Sequence, residues 1–195
     1  MKTFELKGSK RESTGKKAAK AYRSESLIPC VLYGGDEVVH FTVTKEGIRK
    51  LIYTPEVFTV NLSIDGKEYA AILKDTQYHP VSDALLHADF MQIFGDKPVV
   101  LEIPLVLEGL AQGVKDGGKL SMNMRKLKVK GLYKNFPEKL VINIENLGLG
   151  KTIQVGDLNF DNLELMNAKN NVIAAVKITR AARGTGTGTA PATTK

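Results

Sequence analysis

The strongest fold signal in the sequence is the stretch from Phe58 to Leu73, which reads FTVNLSIDGKEYAAIL. Apolar residues occupy every second position from Phe58 to Ile64, which is the pattern of a half-buried β-strand. Asp65-Gly66 follows at once, and a second apolar run comes after it. An Asp-Gly pair between two such runs favours a type I′ turn, because both central residues of that turn need positive φ. The stretch therefore predicts a β-hairpin.

Similar short patterns lie on both sides of the hairpin. Further strands are predicted where apolar or alternating runs end at turn residues, at 28–33, 38–43, 86–90, 99–107, 127–132, 140–144 and 172–178. Thr44 is predicted to cap a short helix over Lys45–Tyr53. Because Pro104 has no N–H group, the strand over 99–107 is predicted to lie at a sheet edge. Many short strands with tight turns indicate a mainly β protein whose N-terminal part is a small β-barrel with short helices.

A chain of 195 residues is long enough for one large domain or two modest ones. The polar segment Gly95-Asp96-Lys97-Pro98 is a plausible boundary, so we predict a β-barrel domain over 1–96 and a second mainly β domain over 97–180. The Gly-Thr repeat that begins at Gly184 contains few residues that could pack into a core. Residues 181–195 are therefore predicted to form a disordered tail.

Composition restricts the class of protein. The chain is 43% hydrophobic and 25% charged, which is typical of a soluble globular protein. It contains no run of about 20 apolar residues, and the charges at its start are followed by no apolar stretch. The single cysteine, Cys30, excludes an internal disulfide. We therefore expect a cytoplasmic protein with no membrane segment.

The positive charge is concentrated at particular places. The net charge is +7, and residues 1–23 alone carry eight basic side chains against two acidic ones, whereas residues 24–96 are net negative. A polarised charge of this kind suits a polyanionic partner such as a nucleic acid. A solvated basic segment without a partner is the alternative interpretation.

The basic segment contains a candidate helix. Thr14 is predicted to cap a helix over Lys16–Arg23, where alanines favour helix formation. On this helix Lys16, Lys20 and Arg23 follow i, i+4, i+7 spacing and share one face. Like charges on one face repel each other, and an anionic partner would relieve the repulsion.

A second candidate site lies on a predicted strand. His87 and Asp89 are two residues apart, so both side chains point to one face of the strand. An imidazole and a carboxylate can hydrogen-bond to nucleobases, and Gln77 and Tyr33 carry groups that could join them. The alternative is a metal site formed by His79, His87 and Asp89.

A further basic patch occurs in the second half of the chain. Its residues are Arg125, Lys126, Lys128 and Lys130. The three lysines alternate with apolar residues, so their ammonium groups share one strand face. This patch is a possible secondary RNA contact, and a solvated strand face is an equally good interpretation.

Several blocks of the sequence resemble a known family. They are Arg11-Glu12-Ser13-Thr14-Gly15-Lys16, Ile28-Pro29-Cys30-Val31-Leu32-Tyr33-Gly34, Asp75-Thr76-Gln77-Tyr78-His79-Pro80, His87-Ala88-Asp89-Phe90 and, in the second half, 109–118, 125–129 and 153–158. Their residues and order are similar to those of the Ctc family of bacterial large-subunit ribosomal proteins, ribosomal protein number twenty-five, in its long two-domain form. Ala21 and Tyr22 depart from that family, which often has Arg and Leu at these positions.

The resemblance implies a structural ribosomal protein that binds 5S ribosomal RNA around its loop E and performs no catalysis. It implies phosphate contacts from Arg11, Lys16, Lys20 and Arg23. It also implies an RNA-facing barrel side lined by Tyr33, Gln77, His87 and Asp89. The second domain would extend over the large subunit and contact neighbouring ribosomal proteins. No cofactor and no metal are expected.

Two other functions remain open from the residues alone. One is a metal-dependent hydrolase built on His79, His87 and Asp89. The other is an interaction module in which the strand over 99–107 offers an exposed edge to another protein.

Overall fold

The computed structural model describes residues 2–35, 37–95, 97–160 and 162–179. Thirteen strands occur in this part of the chain: β1 Lys2–Lys10, β2 Leu27–Tyr33, β3 Val39–Thr44, β4 Phe58–Ile64, β5 Lys67–Tyr78, β6 Leu85–Gln92, β7 Pro98–Glu108, β8 Lys119–Met122, β9 Lys126–Leu132, β10 Leu140–Asn143, β11 Thr152–Gln154, β12 Glu164–Leu165 and β13 Val172–Lys177. The helices are α1 Lys16–Ser24, α2 Lys45–Ile52 and α3 Gln112–Lys115, with 3₁₀ turns at Tyr133–Asn135 and Val155–Asp157. The mainly β class is confirmed.

Two compact units make up the described structure. The first consists of the chain up to Ile103 together with Lys130–Glu138, and the second of Pro104–Val129 together with the chain from Lys139 onward. The predicted disordered tail, 181–195, lies outside the described residues. None of the helices in the described ranges is long and apolar enough to span a bilayer.

A closed six-stranded barrel forms the first unit, in the order β1-β3-β2-β6-β5-β4. The predicted hairpin joins β4 to β5, and the φ values of 47° at Asp65 and 83° at Gly66 agree with the predicted turn. The strand β1 closes the barrel by pairing in parallel with β4 and antiparallel with β3. Sequence reasoning treated the chain before α1 as part of a basic segment and missed this strand.

The barrel interior is filled by alternate residues of its strands. Phe41 and Phe90 are fully buried with ring centroids 5.7 Å apart, and Cys30 and Ala88 are also fully buried. The helix α2 adds Ile48 and Leu51 to this core, and the Thr44 side chain accepts a hydrogen bond from its first turn as predicted. Because alternate residues face inward, their neighbours along β2, β5 and β6 form the outer wall of the barrel.

The second half of the chain contains a four-stranded sheet, β10-β7-β9-β12, and a three-stranded sheet, β11-β13-β8. The strand β7 lies between β10 and β9, so the prediction of an edge strand was wrong. Leu105 donates its N–H to the carbonyl of Arg125, on the β9 side. Successive N–H groups point to opposite sides, so Pro104 faces the β10 side, where pairing begins only at Leu105. The missing N–H therefore breaks no ladder bond.

Candidate nucleic-acid interface

The helix α1 carries the basic side chains of the predicted binding segment on its exposed side. Lys16, Lys20 and Arg23 are all exposed, whereas Tyr22 is partly buried. The helix begins after Gly15, whose φ of 100° is reached readily only by glycine, and no side chain caps it. The prediction that Thr14 caps the helix was therefore wrong, because the backbone turns at Gly15 instead.

One contact fixes α1 against the barrel and a second fixes it against the loop that precedes it. The Nε atom of Arg23 donates a hydrogen bond to the carbonyl of Leu86 on β6 at 3.0 Å. The hydroxyl groups of Tyr22 and Ser13 lie 3.1 Å apart. Arg23 is thus an anchor of the helix as well as a cation. Lys16 and Lys20 form no ion pair with any side chain in the described ranges.

The predicted polar residues of the barrel come together on its outer wall. Gln77 on β5 lies directly opposite His87 on β6, while Asp89 pairs with β2 at Val31, two residues before Tyr33. Arg11 follows β1 and donates its backbone N–H to the carbonyl of His40 on the next strand. We call the set formed by Arg11, Tyr33, Gln77, His87 and Asp89 the polar face.

The polar face contains buried polar atoms that the protein does not satisfy. The Nδ1 atom of His87 and the Oδ1 atom of Asp89 lie 2.6 Å apart, within ion-pair distance of each other, and neither atom has a hydrogen-bond partner in the protein. The Nε atom of Arg11 is also buried without a hydrogen-bond partner. Within the described ranges these are the three buried side-chain nitrogen or oxygen atoms left without a hydrogen bond. All three belong to the polar face.

Burial and charge also affect two neighbouring groups. Burial, followed by the carboxylates of Asp89 and Asp75, raises the pKa of the Tyr33 phenol above its usual value. The phenol therefore stays protonated and can donate a hydrogen bond. Burial raises the pKa of the Cys30 thiol to about 12, so this thiol is an inert part of the core.

His79 is held in a different arrangement from the one that a metal site needs. Its Nδ1 atom accepts hydrogen bonds from the backbone N–H groups of Val81 and Ser82, at 3.3 and 3.2 Å. This places His79 in the turn between β5 and β6 as a local cap. No group of three or more His, Cys, Asp or Glu side chains suited to a metal ion occurs among the described residues. The hydrolase hypothesis therefore has no support from the geometry.

The second basic patch has the alternation that the sequence predicts. Along β9, Leu127 and Val129 are fully buried, and Lys126 and Lys128 are exposed. Lys128 and Lys130 each already interact with a neighbour within the protein. Arg125 and Lys126 are exposed at the start of the strand.

Sequence reasoning missed one charged residue beside the polar face. Asp75 on β5 lies directly opposite Asp89 and is exposed. The spacing of Asp75 and Gln77 at i, i+2 was a signal that could have placed both on one strand face.

Comparison with known proteins places this arrangement in a family. Residues 6–90 match the family model of the ribosomal L25p family. Residues 98–180 match that of the C-terminal domain of ribosomal protein TL5. The two matches together span both halves of the chain.

Relatives of nearly the same length are large ribosomal subunit proteins bL25. The chain is 68% identical over 186 residues to that of Azobacteroides pseudotrichonymphae, covering 95% of this chain and 98% of the relative. It is 61% identical to that of Parabacteroides distasonis over 94% of this chain and 97% of the relative. It is 60% identical to that of Porphyromonas gingivalis, again over 94% and 97%. The chain therefore belongs to the bL25 family, the structural, non-enzymatic proteins of the large ribosomal subunit.

Proposed function

We propose that this ribosomal protein binds 5S ribosomal RNA, around loop E, through α1 and the polar face. The observation that carries the proposal is the grouping of the unsatisfied atoms of Arg11, His87 and Asp89 on one wall of the barrel. A buried polar group without a partner costs about 1–3 kcal/mol. A ligand that supplies the missing partners recovers this free energy on binding.

RNA can supply partners of each kind. A guanidinium group binds phosphate oxygens, an imidazole donates or accepts, and a carboxylate accepts from amino groups and 2′-hydroxyls. Gln77 and Tyr33 add an amide and a phenol to the same wall. A barrel wall that carries this mixture of polar side chains can recognise base edges and sugars as well as phosphates. Such a wall suits an irregular RNA helix better than a regular one.

The helix α1 supplies the electrostatic part of the interaction. Lys16 and Lys20 are exposed and have no acidic partner in the described structure. Cations of this kind displace counterions from phosphates, which drives binding and makes it sensitive to salt. Because Arg23 fixes the helix to β6, the charges are held beside the polar face.

We assign the RNA contact to the domain over 1–96. The second domain, over 97–180, is proposed to extend over the large subunit and to contact neighbouring ribosomal proteins. Arg125, Lys126, Lys128 and Lys130 are proposed as a secondary contact with ribosomal RNA outside the 5S molecule, for which the exposed Arg125 and Lys126 are the better candidates. All of these contacts are proposed for the assembled ribosome in the cytoplasm.

The test is binding of the full chain to 5S ribosomal RNA, to a loop E fragment and to a regular duplex of equal length, at several salt concentrations. We expect tight binding to the first two, and an affinity that falls as salt rises. Equal and weak binding to all three RNAs would contradict the proposal.

A further inference from the structure

The β5–β6 pairing contains a bulge that sets two carboxylates side by side. Leu73 pairs with Phe90, and the next pair is Asp75 with Asp89, so the register shifts by one residue at Lys74. In a regular ladder Lys74 would lie opposite Asp89. An opposite-charge pair of that kind stabilises a sheet, whereas two like charges directly opposite each other destabilise it.

The bulge therefore replaces an attractive pair by a repulsive one. The ammonium group of Lys74 instead donates a hydrogen bond to the carbonyl of Val100 at 2.9 Å. Without the bulge Asp75 would lie opposite Ala88, which is fully buried, and would face the core. β-Bulges often re-aim a side chain at a functional site, and a local arrangement that costs stability is expected where function requires it.

The carboxylate pair adjoins the polar face. Paired residues of an antiparallel ladder have Cβ atoms about 5 Å apart. Asp89 pairs with Val31 on β2, two residues before Tyr33, and Asp75 lies on the other side of Asp89, so the two carboxylates continue the polar face across three strands. Asp75 is exposed and accepts the backbone N–H of Thr76 through Oδ1 at 2.8 Å. The second oxygen of its carboxylate is available for a ligand.

We propose that Asp75, paired with Asp89, determines selectivity for RNA segments that present guanine amino groups to the barrel wall. The proposal rests on the RNA-binding function proposed above. Carboxylates can only accept hydrogen bonds, and they repel phosphates. The pair therefore disfavours a duplex that offers phosphates but no guanine amino group at this point. It favours RNA that offers such a donor, so it contributes to specificity both by repelling one class of RNA and by binding the other.

The shape of RNA selects which donors can reach the wall. The amino groups of adenine and cytosine lie in the deep, narrow major groove of an A-form helix, which side chains cannot read. The guanine amino group lies in the wide, shallow minor groove beside the 2′-hydroxyls. A barrel wall is broad and can contact only the shallow groove, so guanine amino groups are the base donors that the carboxylates meet.

The first test compares Asp75→Asn with the wild-type chain on 5S ribosomal RNA and on a regular duplex of equal length built from A·U pairs, which presents no guanine amino group. The asparagine keeps the acceptor for Thr76 and removes the charge. We expect the duplex to bind several-fold more tightly and the 5S RNA about tenfold more weakly, so that discrimination falls by more than tenfold.

Glu68→Gln is the matched control. Glu68 is exposed on the same strand, seven residues away, or about 23 Å at the usual rise of a strand. The Glu68→Gln substitution removes the same charge as Asp75→Asn. It should change the affinity for 5S ribosomal RNA and the affinity for the duplex by a similar small factor. A thermal midpoint of Asp75→Asn equal to or above that of the wild type is expected because the carboxylate repulsion is relieved, and a lowered midpoint would indicate a structural role instead.

The outcomes separate the two proposals. A wild-type chain that binds both RNAs equally overturns the proposed function and this inference with it. A wild-type chain that discriminates, together with an Asp75→Asn variant that discriminates equally well, overturns the role of Asp75 alone.

The second test concerns the donor. In a series of loop E fragments, each guanosine is replaced in turn by inosine, which lacks the 2-amino group. At least one replacement should weaken wild-type binding about tenfold and Asp75→Asn binding by much less. If no replacement affects the two proteins differently, the contact with a guanine amino group is wrong.

Discussion

The helix α1 and the strand β9 carry similar basic clusters in very different surroundings. On α1, Lys16 and Lys20 are exposed and have no ion pair in the described structure, and no residue of the helix is fully buried. On β9, Lys128 and Lys130 already interact within the protein, and Leu127 between the lysines is fully buried. The helix α1 therefore contributes charge and little packing, whereas the strand β9 contributes mainly packing.

We infer from this difference that a cluster of lysines is the better candidate for a nucleic-acid contact when the protein leaves the charges without partners. Lysines that interact with their own protein have less to gain from phosphates, because binding must first break those interactions. Substitutions in α1 should therefore affect mainly RNA binding, and substitutions in β9 should affect mainly stability.

The largest expected effect is on the stability of the protein, when a buried side chain of β9 is removed. Leu127→Ala removes a fully buried side chain and should lower the free energy of unfolding by about 2–5 kcal/mol. Denaturant titration measures this change. Affinity for 5S ribosomal RNA, measured below the unfolding transition, should stay within threefold of the wild-type value, and a loss of the size expected for the α1 variants would put β9 at the RNA interface.

The double variant Lys16→Ala/Lys20→Ala should weaken 5S RNA binding by about 100-fold at low salt. Two lost phosphate contacts should also flatten the plot of log affinity against log salt by about 1.4–1.8. Fluorescence anisotropy at four salt concentrations measures both quantities. A salt slope identical to that of the wild type would show that these lysines do not contact phosphates.

Arg23→Ala should weaken binding by about tenfold, because it removes a cation and the bond that fixes α1 to Leu86. Arg23→Lys keeps the charge and loses the Nε donor, so it should restore only part of the affinity. Arg125→Ala is the matched control, since Arg125 is an exposed arginine of the second basic patch. If Arg125→Ala weakens binding as much as Arg23→Ala, the helix has no special role.

The double variant Lys128→Ala/Lys130→Ala should have a small effect on RNA binding, less than about threefold, with an unchanged salt slope. Its free energy of unfolding should fall by about 0.2–1 kcal/mol, because surface interactions of lysine contribute little. A flattened salt slope would move these residues to the RNA interface.

The smallest effect is expected behind the polar face, at Cys30. Burial raises the pKa of this thiol to about 12, so it stays protonated in the folded protein at pH 8 and should not react with a disulfide reagent. Because the folded-state pKa is raised, the protonated thiol favours the folded state. This contribution is complete below pH 9 and is lost as the pH rises toward 12. Rapid labelling of the native chain at pH 8 would contradict the burial.

Local signals in the sequence were sufficient for some elements. The hairpin at Asp65-Gly66 and the cap of α2 at Thr44 were predicted because each depends on residues within one turn of chain. The strand β1 was missed because it is stabilised by distant partners: Phe4 pairs with Val60 and Leu6 with Leu62 on β4. Its alternation of apolar residues is short and is obscured by the charged residues around it.

The candidate site was predicted in residue type but only partly in arrangement. The i, i+2 spacing of His87 and Asp89 placed both on one face, and the register then brought Gln77 beside them. The opposition of Asp75 and Asp89 could not be predicted, since it depends on a bulge whose position is set by packing across the whole β5–β6 ladder. The same limit explains the wrong edge prediction for β7, where Pro104 lies just before the pairing with β10 begins.

The most direct test of the central claim is lysine footprinting of the full chain with and without 5S ribosomal RNA. Brief acetylation followed by mass spectrometry compares Lys16 and Lys20 with Lys126, which are all exposed in the free protein. The account predicts that RNA protects Lys16 and Lys20 strongly and leaves Lys126 reactive. Protection of Lys126, with Lys16 and Lys20 still reactive, would contradict it.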